Sequence, residues 1–409
     1  LFNQKKCCCL NNLKILTTII ILTFFFWHCQ PDRKTEITFN DKTAESLADN
    51  FLKLYPDSIH YSLSTKEFRW DYEQGLILEA FYQLWKKSGD QKYFDYIKRN
   101  IDYFVEPDGN IKTYNIEDYN IDNIAPGRQL LHLYEETCED NYKVAADRLR
   151  RQLANQPRTS EGGFWHKKRY PYQMWLDGLY MGEPFFTEYA VLFDEKDAFD
   201  DIANQFLLIR KNNLDPATGL YYHGWDESRQ QAWSDSISGT SPNFWGRAMG
   251  WFMMALVDVL DSFPEEHPQR KELIETFKNL SASLLEYRDS KTKLWYQVVD
   301  LGDQEGNYIE TSSSLMYIYS FAKGTNKGYL SEEYLNVAKE SFESLLANFL
   351  SVDQNGIISL NNTVSVGGLG GKPYRDGSFE YYISEPIRVN DFKGYGPLLL
   401  AAIEISKNK

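Results

Sequence analysis

Apolar residues recur every three to four positions along nearly the whole chain beyond residue 42, and the segments carrying that period come in pairs. The spacing predicts helices over Thr43–Leu54, Tyr72–Lys87, Gln91–Tyr103, Asn123–Glu136, Asn141–Leu153, Gln173–Leu192, Ala198–Arg210, Phe244–Ser262, Gln269–Tyr287, Ser313–Ala322, Glu333–Phe349 and Gly396–Ile405. Two classes of connector join them. Short acidic or glycine-containing turns, as in SGDQKYFDYI, FDEKDAFDDI and KGYLSEEYLNV, force antiparallel hairpins. Longer ones, EGGFWHKKRYPY, DPATGLYYHGWD, SKTKLWYQVVD and DQNGIISLNN, carry glycine, aromatics and alternating polarity. About twelve helices in six hairpins can close into an all-α, (α/α)6 six-hairpin toroid with the β-like loops on one face, which is where a rigid scaffold carries its functional residues. An open helical solenoid is the alternative.

Composition narrows the ligand. The chain of 409 residues has a formal net charge of −14, which argues against a nucleic-acid partner because phosphate binding needs a basic surface. Aromatic residues reach 15 %, with 10 Trp and 28 Tyr, and flat rings that do not all belong to the core suit sugar faces. The N-terminus has a basic start and an apolar run from Ile15 to Trp27 closed by Cys29, the pattern of an export signal, with Cys29 a candidate for lipidation and a membrane tether. The expected organisation is a signal over 1–29, a linker over 30–40 and a single catalytic domain over 41–409, exported to the periplasm or anchored at the membrane. Four of the five cysteines lie in the signal, so the body has no disulfide framework.

Four stretches hold the candidate chemistry. In YNIDNIAPGRQLL, Asp122 precedes a helix, as an N-cap or as a functional carboxylate. In FWHKKRYPYQMWLDGLYMGEPF, His166 and Asp177 are eleven residues apart, and Trp175 and Met181 surround Asp177 with apolar groups that would keep its carboxyl protonated for general-acid work. GLYYHGWDES offers His223, although a lone loop histidine is more often a hydrogen-bonded structural residue than a catalyst. SPNFWGRAMGWFMM places Trp245, Arg247 and Trp251 at a helix start, where a guanidinium between indoles suits an anionic sugar. The glycine-rich segment VGGLGGKPYRDGSFEYYISEP has no helical period and reads as a loop bringing Lys372 and Arg375 over the open face. Metal-protease, serine-nucleophile, phosphate-loop and dinucleotide motifs are missing, so no cofactor and no metal is expected.

Taken together, HKxxYPxQMWLDGLYM, YHGWDES, FWGRAMGW and GGLGGxPYRDGSFEYYISEP resemble the unsaturated glycuronyl hydrolases of glycoside hydrolase family 105, with family 88 as a relative, over about Tyr61 to Ile405. The resemblance implies a six-hairpin barrel that removes a Δ4,5-unsaturated uronic acid from the non-reducing end of lyase-generated oligosaccharides. It assigns the catalytic roles to Asp177, with Asp122 assisting, and the sugar pocket to His166, Trp175, His223, Trp245, Arg247 and Trp251. Lys372 and Arg375 are further candidates for contact with the charged sugar. The chemistry would be hydration of the enol ether: a proton to C4, water to C5, and collapse of the hemiketal. Rhamnose-linked uronate from rhamnogalacturonan is the leading substrate and uronate on sulfated rhamnose from ulvan the next. Lys167, Lys168, Arg169 and Lys372 are the cations a sulfate would require. A non-catalytic glycan-binding lipoprotein and a lyase on the same barrel are the readings of other kinds.

Overall fold

The computed structural model describes residues 38–60 and 68–407, within a compact unit spanning Thr35–Lys409. The export signal and Cys29 lie outside the described residues.

The elements follow the predicted periodicity closely. Helices α1 Thr43–Leu54, α2 Tyr72–Ser88, α3 Gln91–Asp102, α4 Gly127–Thr137, α5 Asp140–Asn155, α6 Leu176–Leu192, α7 Ala198–Asn213, α8 Gly246–Ser262, α9 Arg270–Glu286, α10 Thr311–Asn326, α11 Glu332–Phe349, α12 Phe379–Ser384 and α13 Phe392–Ser406 account for most of the chain. Two of them show why periodicity alone marks the ends poorly. The residues Gln173–Trp175, expected as the first turn of a helix, form a strand instead (β1), because they pair with Gly224–Asp226 (β2) in the next connector. The segment expected to be loop throughout contains α12, whose six residues are too few to show a period and which Ser378 caps through the Tyr381 N–H.

Packing closes the ring. Helices α2, α4, α6, α8, α10 and α13 each touch the next, and α13 returns to α2. Outside them lie α1, α3, α5, α7, α9 and α11, so the architecture is a toroid of six hairpins and not an open solenoid. The inner helices are the most apolar and most deeply buried: every residue of α8 from Gly246 to Leu260 is buried. Close approach is built in, since a Cβ on Gly75 of α2 would stand 2.8 Å from the Pro126 backbone ahead of α4.

The long connectors precede inner helices and are tied to one another by short bridges, Asn120 to Lys167, β1 to β2 and Trp245 to Val298. One end of the ring therefore gathers these connectors together with the N-termini of the inner helices. Carboxylates cap three of them: Asp71 accepts from the Glu73 N–H at α2, Glu310 from Ser312 and Ser313 at α10, and Asp391 from Lys393 at α13.

Candidate active site

Asp122 is not the cap of α4. It sits in a 3-10 turn, Ile121–Asn123, that is capped by the Asn120 side chain, and α4 begins later at Gly127 without a side-chain cap. The turn is fastened to the start of α2 by a reciprocal pair, Trp70 Nε1 donating to the Asn123 carbonyl at 2.8 Å and Asn123 Nδ2 to the Trp70 carbonyl at 2.9 Å. Freed from capping, the Asp122 carboxylate takes a close ion pair from Lys167 and stands 3.2 Å from His166 Nε2. Burial pushes its pKa up, but the Lys167 ammonium and His166 outweigh that and hold it well below the usual carboxylate range. Asp122 is a fixed anion, and Lys167, offered by the sequence as a cation for substrate, is spent on it.

Asp177 lies in the first turn of α6, directly after β1. Its Oδ2 is 3.1 Å from His223 Nε2, close but without the alignment of a hydrogen bond. His223 is fully buried, and its Nδ1 lies 2.8 Å from the Tyr382 hydroxyl. Burial pushes the Tyr382 pKa well up, so the phenol keeps its proton. With a carboxylate facing Nε2, the consistent arrangement has Tyr382 donating to Nδ1 and the ring proton on Nε2, directed at Asp177.

Stacked rings join the two carboxylates. His166 stacks on Trp175 with centroids 4.5 Å apart, Trp175 meets His223 edge-on at 5.3 Å, and Tyr170 stacks on the remaining face of Trp175 at 4.9 Å. His166 can lie against α6 because residue 178 is glycine; a Cβ there would stand 3.1 Å from His166 Nδ1. Burial lowers the His166 pKa, so the ring is neutral and Nε2 carries the proton shared with Asp122.

Arg247, in the first turn of α8, is buried. Its Nε donates to Ser312 Oγ at 2.7 Å, and Nη2 to the Val364 carbonyl and, at 3.5 Å, to Glu310. Nη1 has no protein partner. The guanidinium lies 5.7 Å from the Trp245 ring. The indoles differ from expectation: Trp245 is stacked on Tyr382 and Trp251 packs against Tyr180, and at 1 % exposure neither offers an open face to a sugar. Trp245 holds the Tyr382 ring in place, and Trp251 is packed in the core.

Lys372 and Arg375 stand farther out, on a cleft of about 770 Å³. Lys372 is exposed, while Arg375 is occupied within its own loop, donating to the Gly370 carbonyl at 2.9 Å and to the Tyr170 hydroxyl at 3.0 Å. Arg375 organises the loop, a use that its position in a glycine-rich stretch does not reveal.

Two further residues and one ion pair escaped the sequence reading. Asp71, Tyr382 and the pairing of Lys167 carry no local pattern; only the fold brings them to Asp122 and His223. Asp71 had one available signal, the D-x-E start of a helix. Its pKa is pushed up to about 7, by burial first, then by Glu73 and Asp122.

One carboxylate pinned as an anion and another facing a buried imidazole nitrogen are a pair suited to proton transfer, and on a six-hairpin barrel they define a glycoside hydrolase of the unsaturated glycuronyl type. The chain belongs to Glycosyl Hydrolase Family 88, whose family model matches residues 43–409. It is similar to a family 105 glycoside hydrolase of C. acetobutylicum, with 44 % identity and a TM-score of 0.85 over 90 % of this chain and 99 % of that one. The unsaturated rhamnogalacturonyl hydrolase YesR of Bacillus subtilis is 26 % identical over 285 residues, 68 % of this chain and 75 % of its own length. The unsaturated glucuronyl hydrolase of Bacillus sp. GL1 shares the fold, with a TM-score of 0.65 at 15 % identity over 88 % of this chain and 94 % of that one.

Proposed function

We propose that the protein releases a Δ4,5-unsaturated uronic acid from the non-reducing end of rhamnose-containing oligosaccharides, with rhamnogalacturonan fragments as substrate, and that Asp177 is the proton donor. The observation that carries this reading is the meeting of Asp177 Oδ2 and His223 Nε2 at 3.1 Å at the first turn of one inner helix, with Arg247, in the first turn of the next, keeping a buried Nη1 that has no hydrogen-bond partner in the protein. A buried guanidinium N–H costs about 1–3 kcal/mol when nothing satisfies it, so Arg247 Nη1 at the same end of the ring as these two groups supports an anionic ligand.

Their types match a uronate. Arg247 Nη1 is a donor for its carboxylate, and the N-termini of the inner helices add partial positive charge. With Oδ2 turned to His223, Oδ1 is the oxygen of Asp177 left for the sugar. In its acid form Asp177 gives the proton to C4, and the electron pair of the double bond becomes the new C–H bond. Positive charge then spreads over C5 and the ring oxygen. Asp122, held as an anion, stabilises that charge. The carboxylate left on Asp177 accepts a proton from the water that adds to C5, and the His223 N–H stabilises the carboxylate in the interval. The resulting hemiketal opens and expels the aglycone. The anomeric carbon is never attacked, so the usual separation rule for paired glycosidase carboxylates does not apply.

The test is the ultraviolet absorbance of the double bond, followed with lyase-generated oligosaccharides of rhamnogalacturonan and of ulvan. Absorbance should fall with the former. Asp177→Asn should lower kcat by about 10²–10⁴-fold, with substrate still bound. Turnover near wild type in that variant removes Asp177 from the acid role.

A further inference from the structure

The cleft of about 770 Å³ lies one ring away from the site just described. Tyr170 forms part of its wall and stacks by its ring on Trp175, which in turn touches His166 and His223. The volume falls in the roughly 300–1,000 Å³ range of ligands with several rings, more than one uronyl group requires.

Its rim is built, not incidental. Residues 370–375 form a tight loop closed by the Gly370 N–H donating to the Arg375 carbonyl at 2.8 Å and the return bond at 3.2 Å. Both Gly370 and Gly371 hold positive φ, 65° and 84°, which a side chain would resist. The tip of the loop presents Lys372 and Tyr374. Tyr374 is 49 % exposed and lines the cleft, so its ring is open to a ligand. Arg169 reaches the same cleft from the connector before α6, its guanidinium 5.0 Å from the Tyr170 ring. Among the described residues, neither Arg169 nor Lys372 has a carboxylate within ion-pair distance; Glu385, also on the cleft, interacts with Tyr381. An acidic protein of net charge −14 thus keeps two cations without a carboxylate partner beside an exposed tyrosine ring, immediately outside its reactive centre.

We propose that this cleft binds the aglycone and that Arg169 and Lys372 recognise a second anionic group on it, with Tyr374 against a sugar face. The inference rests on the hydrolase reading above. The shared chemistry is a negative charge beyond the scissile bond, which a carboxylate of a second uronyl residue or a sulfate ester on the rhamnose would each supply.

Three substrates separate these sources: a neutral-aglycone disaccharide of unsaturated uronate and rhamnose, the same disaccharide sulfated on rhamnose, and a tetrasaccharide with a second uronate. At low salt, wild-type KM should be about three- to tenfold lower for one anionic substrate than for the neutral one, and the arm that shows it names the source. The double variant Arg169→Ala, Lys372→Ala should bring that ratio close to one, whereas Arg169→Lys with Lys372→Arg should preserve it. Equal KM for all three substrates in wild type, or a preference retained by the double alanine variant, overturns the proposal while leaving the hydrolase reading intact. Absence of turnover on all three overturns the hydrolase reading, and this inference with it.

Discussion

Asp71 shows how a capping residue acquires a second role from its surroundings. The residue accepts the Glu73 N–H, as any helix cap would, but burial and the neighbouring Glu73 and Asp122 push its pKa to about 7. The shift is upward from an ordinary value of about 3.9, so Asp71 is neutral below pH 7 and gains charge above it. Any stability this provides is full below about pH 3.9 and is lost as pH rises through 7. For activity the same sign means that a second negative charge appears beside Asp122 in alkaline solution, where it repels a uronate. KM should therefore rise several-fold between about pH 6 and pH 8.5. Asp71→Asn retains the cap and removes the titration, so its KM should be nearly flat over that range. An identical rise in the variant would show that some other group is responsible.

At the scale of elements, the helices were legible because their apolar period runs for three turns or more, and the short turns before α3, α7 and α11 announced the hairpins. What depended on pairing with distant chain was not legible. The strand Gln173–Trp175 exists because Gly224–Asp226 lies beside it, and α12 exists because Ser378 caps it and Trp245 receives the Tyr382 ring. The candidate site divided in the same way: Asp122, Asp177, His166 and His223 stand out as polar residues in aromatic stretches, whereas Tyr382 is one of 28 tyrosines until the fold sets it against His223. The short helix α12 is thus a support for the imidazole. Tyr382→Phe keeps the stacking on Trp245 and deletes only the hydroxyl that fixes the His223 tautomer. It should reduce kcat by roughly tenfold, the low end for loss of a second-layer partner, with KM changed by less than about twofold. A parallel change in both, or a lowered melting temperature with normal kcat, would reduce Tyr382 to a packing residue.

At the scale of the whole molecule, the connector end, with the helix N-termini, carries the site, and a largely buried ion network joins the C-terminal halves of α6, α8 and α10 to Glu79 of α2 and to Arg128 in the first turn of α4. Arg128 joins Glu188 at 2.7 Å, Asp258 at 3.1 Å and Glu79 at 3.3 Å, and Lys323 joins Asp258 and Asp261, both at 2.7 Å. These residues come from α2, α4, α6, α8 and α10, so one cluster spans five of the six inner helices. Tyr180 lies between this cluster and Trp251, which separates it from the substrate end. An ion network of this kind adds little to stability over a well-packed apolar alternative, but removing one member strands the others without compensation. Arg128→Met should destabilise the fold by about 3–5 kcal/mol, while kcat/KM measured far below the new melting temperature stays within about twofold of wild type. The acid sensitivity follows from Glu79, which burial pushes up but Arg128 and His132 pull well below its ordinary value. Its contribution is present above the unfolded pKa of about 4.3 and is lost as pH falls toward the folded value. Arg128→Met should therefore weaken the loss of melting temperature between about pH 5 and pH 3, because Glu79 no longer gains as much from ionising in the folded state. Unchanged melting in the variant at both pH values would mean that the network is compensated by neighbours and does not hold the ring together.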